Sequence, residues 1–302
     1  MIGLRELVDL AARHADDLDR PVAPLRIGDR TFDTDAEPVV MGVVNLSTDS
    51  AYRESIAVTR ESAIRKGRVL AAQGAHLIDL GAESSNVATA RVGADDQARS
   101  LVPVIEALSA EGIAVSIESY APTTVRAGLA AGARVINLTG SADDAAMFDL
   151  AAEFEATVVL CHINGSHARD LDTVSASDVV ADPFPAMLEQ FERRVQDARA
   201  RGVQHVAIDP GVGFGFAVDD LVLRARHQTA VLVNSFRLRR LGIPICHSVP
   251  HAFPLFEDQF RIAEGFFTVL AHFGGTGVYR THEVPQIVAV LGALHQLGAQ
   301  TD

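Results

Sequence analysis

The chain has 302 residues, of which 48% are hydrophobic and 22% are charged, so it has enough apolar residues for a large core and is not disordered. Its 26 basic and 39 acidic residues give a net charge of −13. This balance argues against a nucleic acid as partner, because surfaces that bind nucleic acid are rich in Lys and Arg. Two cysteines are too few for the disulfide framework of a small secreted domain.

The first twenty residues predict an amphipathic helix that carries four aspartates and one glutamate. This segment lacks the basic start and the continuous apolar stretch of a secretory signal peptide. No run of eighteen apolar residues occurs in the sequence, so a membrane-spanning helix is not predicted. We therefore expect a cytoplasmic protein with no membrane partner.

Short apolar, β-branched runs alternate along the chain with longer Ala-rich segments of helical spacing. The runs are 38–45, 76–81, 113–118, 134–139, 157–162, 205–209, 243–248 and 277–282. Continuous apolar strands are typical of a parallel sheet that is buried on both faces. Eight strand–helix units predict an α/β protein of the (β/α)8 TIM-barrel type. A doubly wound open sheet is the alternative, weakened by the lack of a G-x-G-x-x-G motif after the first strand.

The segment before the first long strand, PLRIGDRTFD (24–33), predicts a β-hairpin around Gly28 and Asp29. In a barrel, such a hairpin would close the end opposite the active site. The composition does not change as it would at a linker between domains. We therefore predict a helical extension over residues 1–23 and one barrel over residues 24–302.

The predicted strands end in polar residues, which is where a (β/α)8 barrel places its chemistry. These residues are Asn45, Asp79, Glu118, Asn137, His162, Asp209, His247, Arg280 and His282. Each alone has an ordinary structural explanation, such as a loop cap or a satisfied core histidine. Polar groups at the ends of all eight strands, however, converge on one rim and predict a small-molecule pocket.

The residue types in this pocket predict the chemistry of its ligand. Interior carboxylates and amides suit a flat heterocycle with several N–H donors. Arg280 and His282 are two residues apart on one strand and therefore face the same side. Together with Asn45 of the adjoining strand, this pair suits a phosphate group. The residues thus indicate a polar heterocycle with an anionic tail.

Four motifs carry a resemblance to the dihydropteroate synthase family. They are MGVVNLSTDS (41–50), IDLGAESS (78–85), DPGVGFGF (209–216) and YRTHEV (279–284), and they follow one another in the family's order. The hairpin at 24–33 also resembles the family's N-terminal hairpin. The resemblance extends over residues 24–297 and implies a pterin-binding TIM barrel.

The resemblance implies a transferase of folate biosynthesis that acts as a homodimer. The family joins the pterin of 6-hydroxymethyl-7,8-dihydropterin pyrophosphate to the amine of p-aminobenzoate, with loss of Mg²⁺-bound pyrophosphate. By position, Asn45 would bind near the metal and the pyrophosphate, and Arg280 and His282 would grip the pyrophosphate; these three are the expected catalytic residues. The expected pterin-binding residues are Glu118, Asn137, Asp209 and Phe214.

Several positions differ from the family pattern. Glu118 replaces an aspartate, and Phe216 replaces a lysine. The segment 246–254 lacks Lys and Arg where the family has S-R-K. The loops at 48–51 and 85–88 also differ, and in the family these loops and the S-R-K segment build the p-aminobenzoate side of the site. The resemblance therefore predicts a retained pterin and anion half and an altered amine-acceptor half.

Two alternatives to this transferase are left open by the sequence. One is a non-catalytic pterin-binding paralogue, because the missing lysines remove charge from the acceptor side. The other is a metal-dependent enzyme that uses His162, His247, His251 and His282 at the rim, although their spacing matches no known ligand motif.

Two further patterns have competing explanations. The sequence predicts a helix over 257–273 with Phe266 adjacent to Phe267, which cannot both face the barrel. Core packing and a dimer interface both explain this pattern. Cys161-His162 and Cys246-His247 lie on strands, where adjacent side chains point to opposite faces, so we interpret the cysteines as small core residues.

Overall fold

The computed structural model describes residues 3–47, 57, 59–84, 90–171, 182–212, 220–250 and 253–298. Eight strands form one parallel sheet: β3 (Val39–Asn45), β4 (Leu77–Gly81), β5 (Val115–Glu118), β6 (Val135–Leu138), β7 (Thr157–Cys161), β10 (Val206–Asp209), β11 (Cys246–Ser248) and β12 (Val278–Thr281). Two short hairpins, β1 (Leu25–Ile27) with β2 (Arg30–Phe32) and β8 (Gly165–His167) with β9 (Asp170–Leu171), lie outside this sheet.

The helices lie mostly between successive strands of the sheet. They are α1 (Leu4–Arg13), α2 (Ala15–Leu18), α3 (Arg60–Ala72), α4 (Ala94–Ala110), α5 (Pro122–Ala130), α6 (Asp144–Glu153), α7 (Phe184–Ala200), α8 (Leu221–Asn234), α9 (Phe253–Phe256), α10 (Phe260–Phe273) and α11 (Val284–Gly298). Two 3₁₀ helices cover Ser235–Leu241 and Glu257–Gln259. In the part of the chain that is described, none of the helices combines the length and the apolar character needed to cross a membrane.

The sheet curves into a barrel that is nearly closed. Its strand order is β10-β7-β6-β5-β4-β3-β12-β11, and the two end strands meet at a parallel bridge between Ile208 and Ile245. The Ile208 amide donates to the Pro244 carbonyl at 3.0 Å across this seam. The predicted (β/α)8 barrel is therefore confirmed, and the open-sheet alternative is wrong. The eight apolar runs gave the strands correctly because each is buried on both sides.

The first hairpin closes the N-terminal end of the barrel, as the sequence predicts. Leu25 pairs with Phe32 across the hairpin, and both side chains join a buried cluster with inward residues of the strands, including Val39 and Val278. Thr157 of β7 donates its hydroxyl to the Arg26 carbonyl and so ties the hairpin to the barrel wall. The domain boundary between residues 23 and 24 stays a prediction.

The β8–β9 hairpin after β7 was not predicted from the sequence. It makes a bridge from His167 to Gly140, and the Ala168 amide donates to the Thr139 carbonyl at 3.0 Å, so it is fastened to the loop after β6. Gly165 has φ of +131°, and a Cβ there would lie 2.0 Å from the Asp170 carbonyl oxygen. Only glycine fits this turn.

Candidate active site

A buried ion pair lies inside the barrel at the carboxyl ends of the strands. Arg280 of β12 donates from Nε to Asp79 Oδ2 of β4 at 2.8 Å. The same oxygen accepts a hydrogen bond from Asn137 Nδ2 of β6 at 3.1 Å. These three side chains come from strands far apart in sequence, and the inward alternation of each strand brings them together. The sequence placed Asp79 at the rim, but did not predict that it pairs with Arg280.

The Asp79–Arg280 pair holds two opposite charges in contact inside the barrel wall. Asp79 is fully buried, and its second oxygen, Oδ1, accepts no hydrogen bond from the described residues. Burial acts to lower the pKa of Arg280, but the charges of Asp79 and Glu118 outweigh burial and raise that pKa. The guanidinium therefore stays a cation. Its Nη1 lies 3.4 Å from the Ser248 hydroxyl on β11.

Glu118 ends β5 beside this pair. Its Oε1 accepts from the Thr139 hydroxyl at 2.9 Å. Burial raises the pKa of Glu118 to about 7; the Arg280 charge opposes this shift and the Asp79 charge adds to it. The longer side chain fits because residue 81 is glycine: a Cβ at Gly81 would lie 2.7 Å from Glu118 Oε2. Near neutral pH this carboxyl is therefore partly protonated: the protonated form can donate a hydrogen bond, and the ionised form only accepts.

Asp209 ends β10 and is buried. Its Oδ1 accepts from the Gly211 amide at 2.8 Å. Burial raises the pKa of Asp209 to about 6, although hydrogen bonds from the backbone of Gly211 and Ser248 and the charge of Arg280 act in the opposite direction. Glu118, Asn137 and Asp209 thus all belong to the inner wall, which fits their predicted role toward a heterocycle with N–H groups.

Asn45 is the last residue of β3 and lies in register with Gly81. Its side chain is partly exposed at the barrel mouth. An amide oxygen is a hard ligand of the kind that Mg²⁺ accepts when substrate phosphates and water complete its coordination. Asn45 therefore fits a metal ion that arrives with a diphosphate.

His282 follows β12 directly and contacts a buried carboxylate from α10. Its Nδ1 lies 3.5 Å from Glu264 Oε1, and its backbone amide donates to the same oxygen at 3.3 Å. Glu264 is fully buried. Sequence reasoning missed Glu264 because a glutamate in a helix is usually solvated. The available signal of a buried glutamate was the apolar sequence around it, which includes Ala263 and Phe267; both are buried in the structure.

The predicted histidine rim is not brought together among the residues that the structure describes. His162 contacts Gln190 of α7, and His247 bonds through Nε2 to the Ser235 hydroxyl at 2.8 Å, outside the barrel wall. Burial lowers the pKa of His162 to about 4 and that of His247 to about 3, so both are neutral. Over the described ranges no group of three or more His, Cys, Asp or Glu residues has a metal-binding arrangement.

Both cysteines face the interior as predicted, and each is buried. Their neighbours His162 and His247 point to the helices on the other side of the wall. Burial raises the pKa of both thiols well above the ordinary value. They are core residues.

Two predicted site residues, Phe214 and His251, lie outside the described residues. The same is true of residues 48–56, 85–89 and 213–219. The loops at 48–51 and 85–88, which differ from the family pattern, are therefore described by their sequence alone.

A polar network beside the mouth joins the loops after β4 and β7. Glu83 contacts Arg91 at 2.6 Å and Arg169 at 3.9 Å, and Arg169 donates to the Ser84 carbonyl at 2.6 Å. Gln97 donates to Glu83 at 3.4 Å and accepts from a serine hydroxyl of the β5 loop at 2.8 Å. The sequence did not predict this network, because it depends on the β8–β9 hairpin that carries Arg169.

Comparison with known proteins agrees with this geometry. A family model described as a pterin-binding enzyme matches residues 41–239. The chain is 31% identical over 272 residues to the type-2 dihydropteroate synthase of Escherichia coli, covering 85% of this chain and 96% of that protein. The chain belongs to the pterin-binding enzyme family. The resemblance seen in the four motifs is therefore confirmed.

Solved structures of dihydropteroate synthases share the barrel. The Thermus thermophilus enzyme in complex with 4-aminobenzoate is 27% identical, with a TM-score of 0.74 over 91% of this chain and 100% of that chain. The Xanthomonas albilineans enzyme in complex with 7,8-dihydropteroate is also 27% identical, with a TM-score of 0.69 over 92% of this chain and 99% of that chain.

Proposed function

We propose that the protein is a dihydropteroate synthase-like transferase of folate biosynthesis that acts on a pterin pyrophosphate. The observation that carries the proposal is the Asp79–Arg280–Asn137 cluster inside a barrel of the pterin-binding family. The cluster offers a fixed cation next to hydrogen-bonding groups for a heterocycle. The relatives' complexes with 4-aminobenzoate and 7,8-dihydropteroate support the same reaction class.

In this reaction the bond between the pterin methylene carbon and the pyrophosphate oxygen breaks, and a bond from that carbon to an amine nitrogen forms. The electron pair of the broken bond leaves with pyrophosphate, and the amine loses one proton. Arg280 stabilises the negative charge that develops on the leaving group, because it is a fixed cation in a water-poor site. Asp79 holds the guanidinium in place, and Asn137 and Asp209 orient the heterocycle.

Mg²⁺ bound with the diphosphate, with Asn45 as its protein ligand, would neutralise part of the charge on the leaving group. His282 would add a second contact to the same diphosphate. Phe214 would contribute to the pterin pocket.

We further propose that the amine-acceptor half differs from that of the family. The segment 246–254 carries no lysine or arginine, and the position of the second family lysine is Phe216. Elsewhere at the mouth, after β4 and β7, the described residues include the Glu83–Arg169 network. This arrangement would fit an amine acceptor whose binding depends less than that of p-aminobenzoate on a lysine or arginine at the end of a strand.

The proposal is tested by incubating the protein with 6-hydroxymethyl-7,8-dihydropterin pyrophosphate and Mg²⁺ and following pyrophosphate release. The assay is run without amine, with p-aminobenzoate and with a panel of other aryl and alkyl amines. We expect amine-dependent release, with p-aminobenzoate not the best acceptor. Binding of the pterin pyrophosphate without release for any amine would contradict the transferase and support the second candidate, a non-catalytic pterin-binding paralogue, which the missing lysines favour.

We also propose that the protein forms a homodimer through α10. Phe266 is 49% exposed and Phe273 is 55% exposed, whereas Phe267 is fully buried. Ile262 and Val269 lie on the same face as the two exposed phenylalanines, at helical spacing, and form one apolar stripe. Such a stripe is typical of a helix that packs against another subunit.

Sedimentation velocity of the wild type and of Phe266→Glu tests the dimer. We expect the wild type to sediment as a dimer and the variant as a folded monomer. A wild type that is monomeric at tens of micromolar would contradict this proposal without affecting the proposed reaction.

A further inference from the structure

Glu264 is a fully buried carboxylate that the proposed reaction does not use directly. It lies in α10, among buried apolar neighbours, and faces the turn from β12 into α11. Since an isolated buried carboxylate costs several kcal/mol, its surroundings must compensate for its charge. The contacts of its two oxygens show how they do so.

The two oxygens of Glu264 accept from three consecutive residues. Oε2 accepts from the Thr281 hydroxyl, and the Glu283 amide lies 3.4 Å from the same oxygen. Oε1 accepts from the His282 amide at 3.3 Å and lies 3.5 Å from His282 Nδ1. One carboxylate therefore holds the backbone on both sides of His282 and also contacts its ring.

The turn itself is stiffened by a second bond, because the Glu283 amide also donates to the Thr281 hydroxyl oxygen at 2.9 Å. Thr268, one turn further along α10, is buried and donates its hydroxyl to the Glu264 carbonyl at 2.7 Å. The link between α10 and the end of β12 is therefore made by the carboxylate itself, through Thr281 and the His282 amide.

The hydrogen bond made by one ring nitrogen of a histidine sets the protonation of the other nitrogen. A carboxylate oxygen 3.5 Å from Nδ1 favours a proton on Nδ1 through its negative charge. Nε2 is then the ring nitrogen left for a ligand. A cap of the α11 N-terminus would need only the backbone contacts, so the ring contact is the part that points to function.

We propose that Glu264 is a positioning residue for His282: it holds the ring with an Nδ1–H group directed at the carboxylate and Nε2 presented to the ligand, so that the doubly protonated ring, paired with this carboxylate, donates from Nε2 to an anionic group. The choice of a diphosphate as that group rests on the proposed function. The orientation of the ring does not depend on it.

The first test uses the full-length wild-type protein with ¹⁵N-labelled histidine, and a His282→Gln variant to assign the His282 ring signals. We expect the ligand-free wild type to show a protonated Nδ1 at His282. A ring protonated on Nε2 alone, with Nδ1 bare, would overturn the proposal. This measurement needs no Glu264 variant and is therefore independent of whether such a variant folds.

The second test compares Glu264→Gln with Thr268→Val, a matched control that removes a buried hydroxyl from the same helix and leaves the carboxylate in place. Inorganic pyrophosphate and 6-hydroxymethyl-7,8-dihydropterin are titrated separately into each protein. For Glu264→Gln we expect a changed Nδ1 signal at His282 and about tenfold weaker pyrophosphate binding, the size typical of losing a group that orients a ligand. Binding of the pterin alcohol should stay within about twofold of wild type, since the pterin wall is untouched.

Unchanged His282 signals in a folded Glu264→Gln variant would overturn the positioning role and leave Glu264 as a helix cap. The same result follows if Thr268→Val changes the His282 signals and the pyrophosphate affinity equally. A wild type that does not bind pyrophosphate would instead overturn the proposed function, and the Nδ1 signal would still decide the role of Glu264.

Discussion

The two sides of the barrel interior differ although their strands follow the same alternation. On β4, β6 and β12, inward positions near the carboxyl ends hold Asp79, Asn137 and Arg280, which contact one another. On β7 and β11 the corresponding inward positions hold Cys161 and Ser248, and the histidines beside them point outward. One side carries the Asp79–Arg280 ion pair, and the other carries the small groups of Cys161 and Ser248 on either side of Asp209 on β10.

The register between β11 and β12 explains this difference. Ser248 is paired with Arg280, and His247 is paired with Tyr279, which is fully buried on the helix side. Because side chains alternate along a strand, a shift of one residue decides whether an imidazole meets the ligand or the helices. A polar residue at a strand end therefore indicates a site only when its parity along the strand is known.

The largest effect is expected from removing Asp79, the carboxylate that both Arg280 and Asn137 contact. Asp79→Ala leaves Arg280 buried without its partner, and we expect the free energy of unfolding to fall by about 4 kcal/mol, as for other broken buried pairs. Urea denaturation checks this value. Asp35→Ala is the control: Asp35 pairs with Arg239 at 2.7 Å, but its side chain is nearly half exposed, so the loss should be smaller. Equal losses would show that burial of the Asp79 pair does not matter.

Arg280→Ala tests the charged side through its ligand. We expect binding of the pterin pyrophosphate to weaken about 100-fold, because a charge-assisted contact to the diphosphate is lost, while the pterin alcohol loses less than about threefold. Calorimetric titration of both ligands measures the ratio. Arg239→Ala, which removes an arginine from the opposite end of the barrel, should leave both affinities unchanged. A loss of the same size for the two ligands would contradict the role of Arg280.

Glu118 makes the stability of the charged side depend on pH. Its pKa in the folded protein, about 7, lies above the ordinary value of 4.5, so the folded state holds the proton more tightly than the unfolded state. Stability from this group is therefore full below about pH 4.5 and is lost as pH rises toward 7, with a slope of at most about 1.4 kcal/mol per pH unit. Glu118→Gln should remove the part of the slope that comes from Glu118, most clearly between about pH 6 and 7, above the pKa of Asp209. Urea denaturation from pH 4.5 to 8 checks it, and an unchanged profile would exclude Glu118 as its source.

The smallest effect is expected for His247 on β11. His247→Leu removes a buried imidazole whose Nδ1 has no hydrogen-bond partner among the described residues. We expect affinity for the pterin pyrophosphate to stay within about twofold and stability to change by less than about 1 kcal/mol, since the ring faces Ser235 outside the wall. A tenfold loss of affinity would show that His247 also contributes to the ligand site.

The sequence predicted the barrel well and the site in part, for identifiable reasons. Runs such as 38–45 and 157–162 are apolar on both faces, which is a strong signal of a central parallel strand. The β8–β9 hairpin was missed because its residues, Gly165 to Leu171, are polar, short and without alternation. The contact between Asp79 and Arg280 spans 201 residues, and no local pattern encodes such a pair. Glu264 was missed because a glutamate in a helix is usually solvated.

The β1–β2 hairpin limits the directions from which a ligand can reach the interior of the barrel. Because Leu25 and Phe32 pack against inward residues of the strands, the N-terminal end of the barrel is closed, and the polar inner wall lies toward the carboxyl ends of the strands. Two reactants that both bind at this wall would therefore approach it from the same end of the barrel. The hairpin at the N-terminal end thus leaves the carboxyl ends of the strands for both ligand binding and product release.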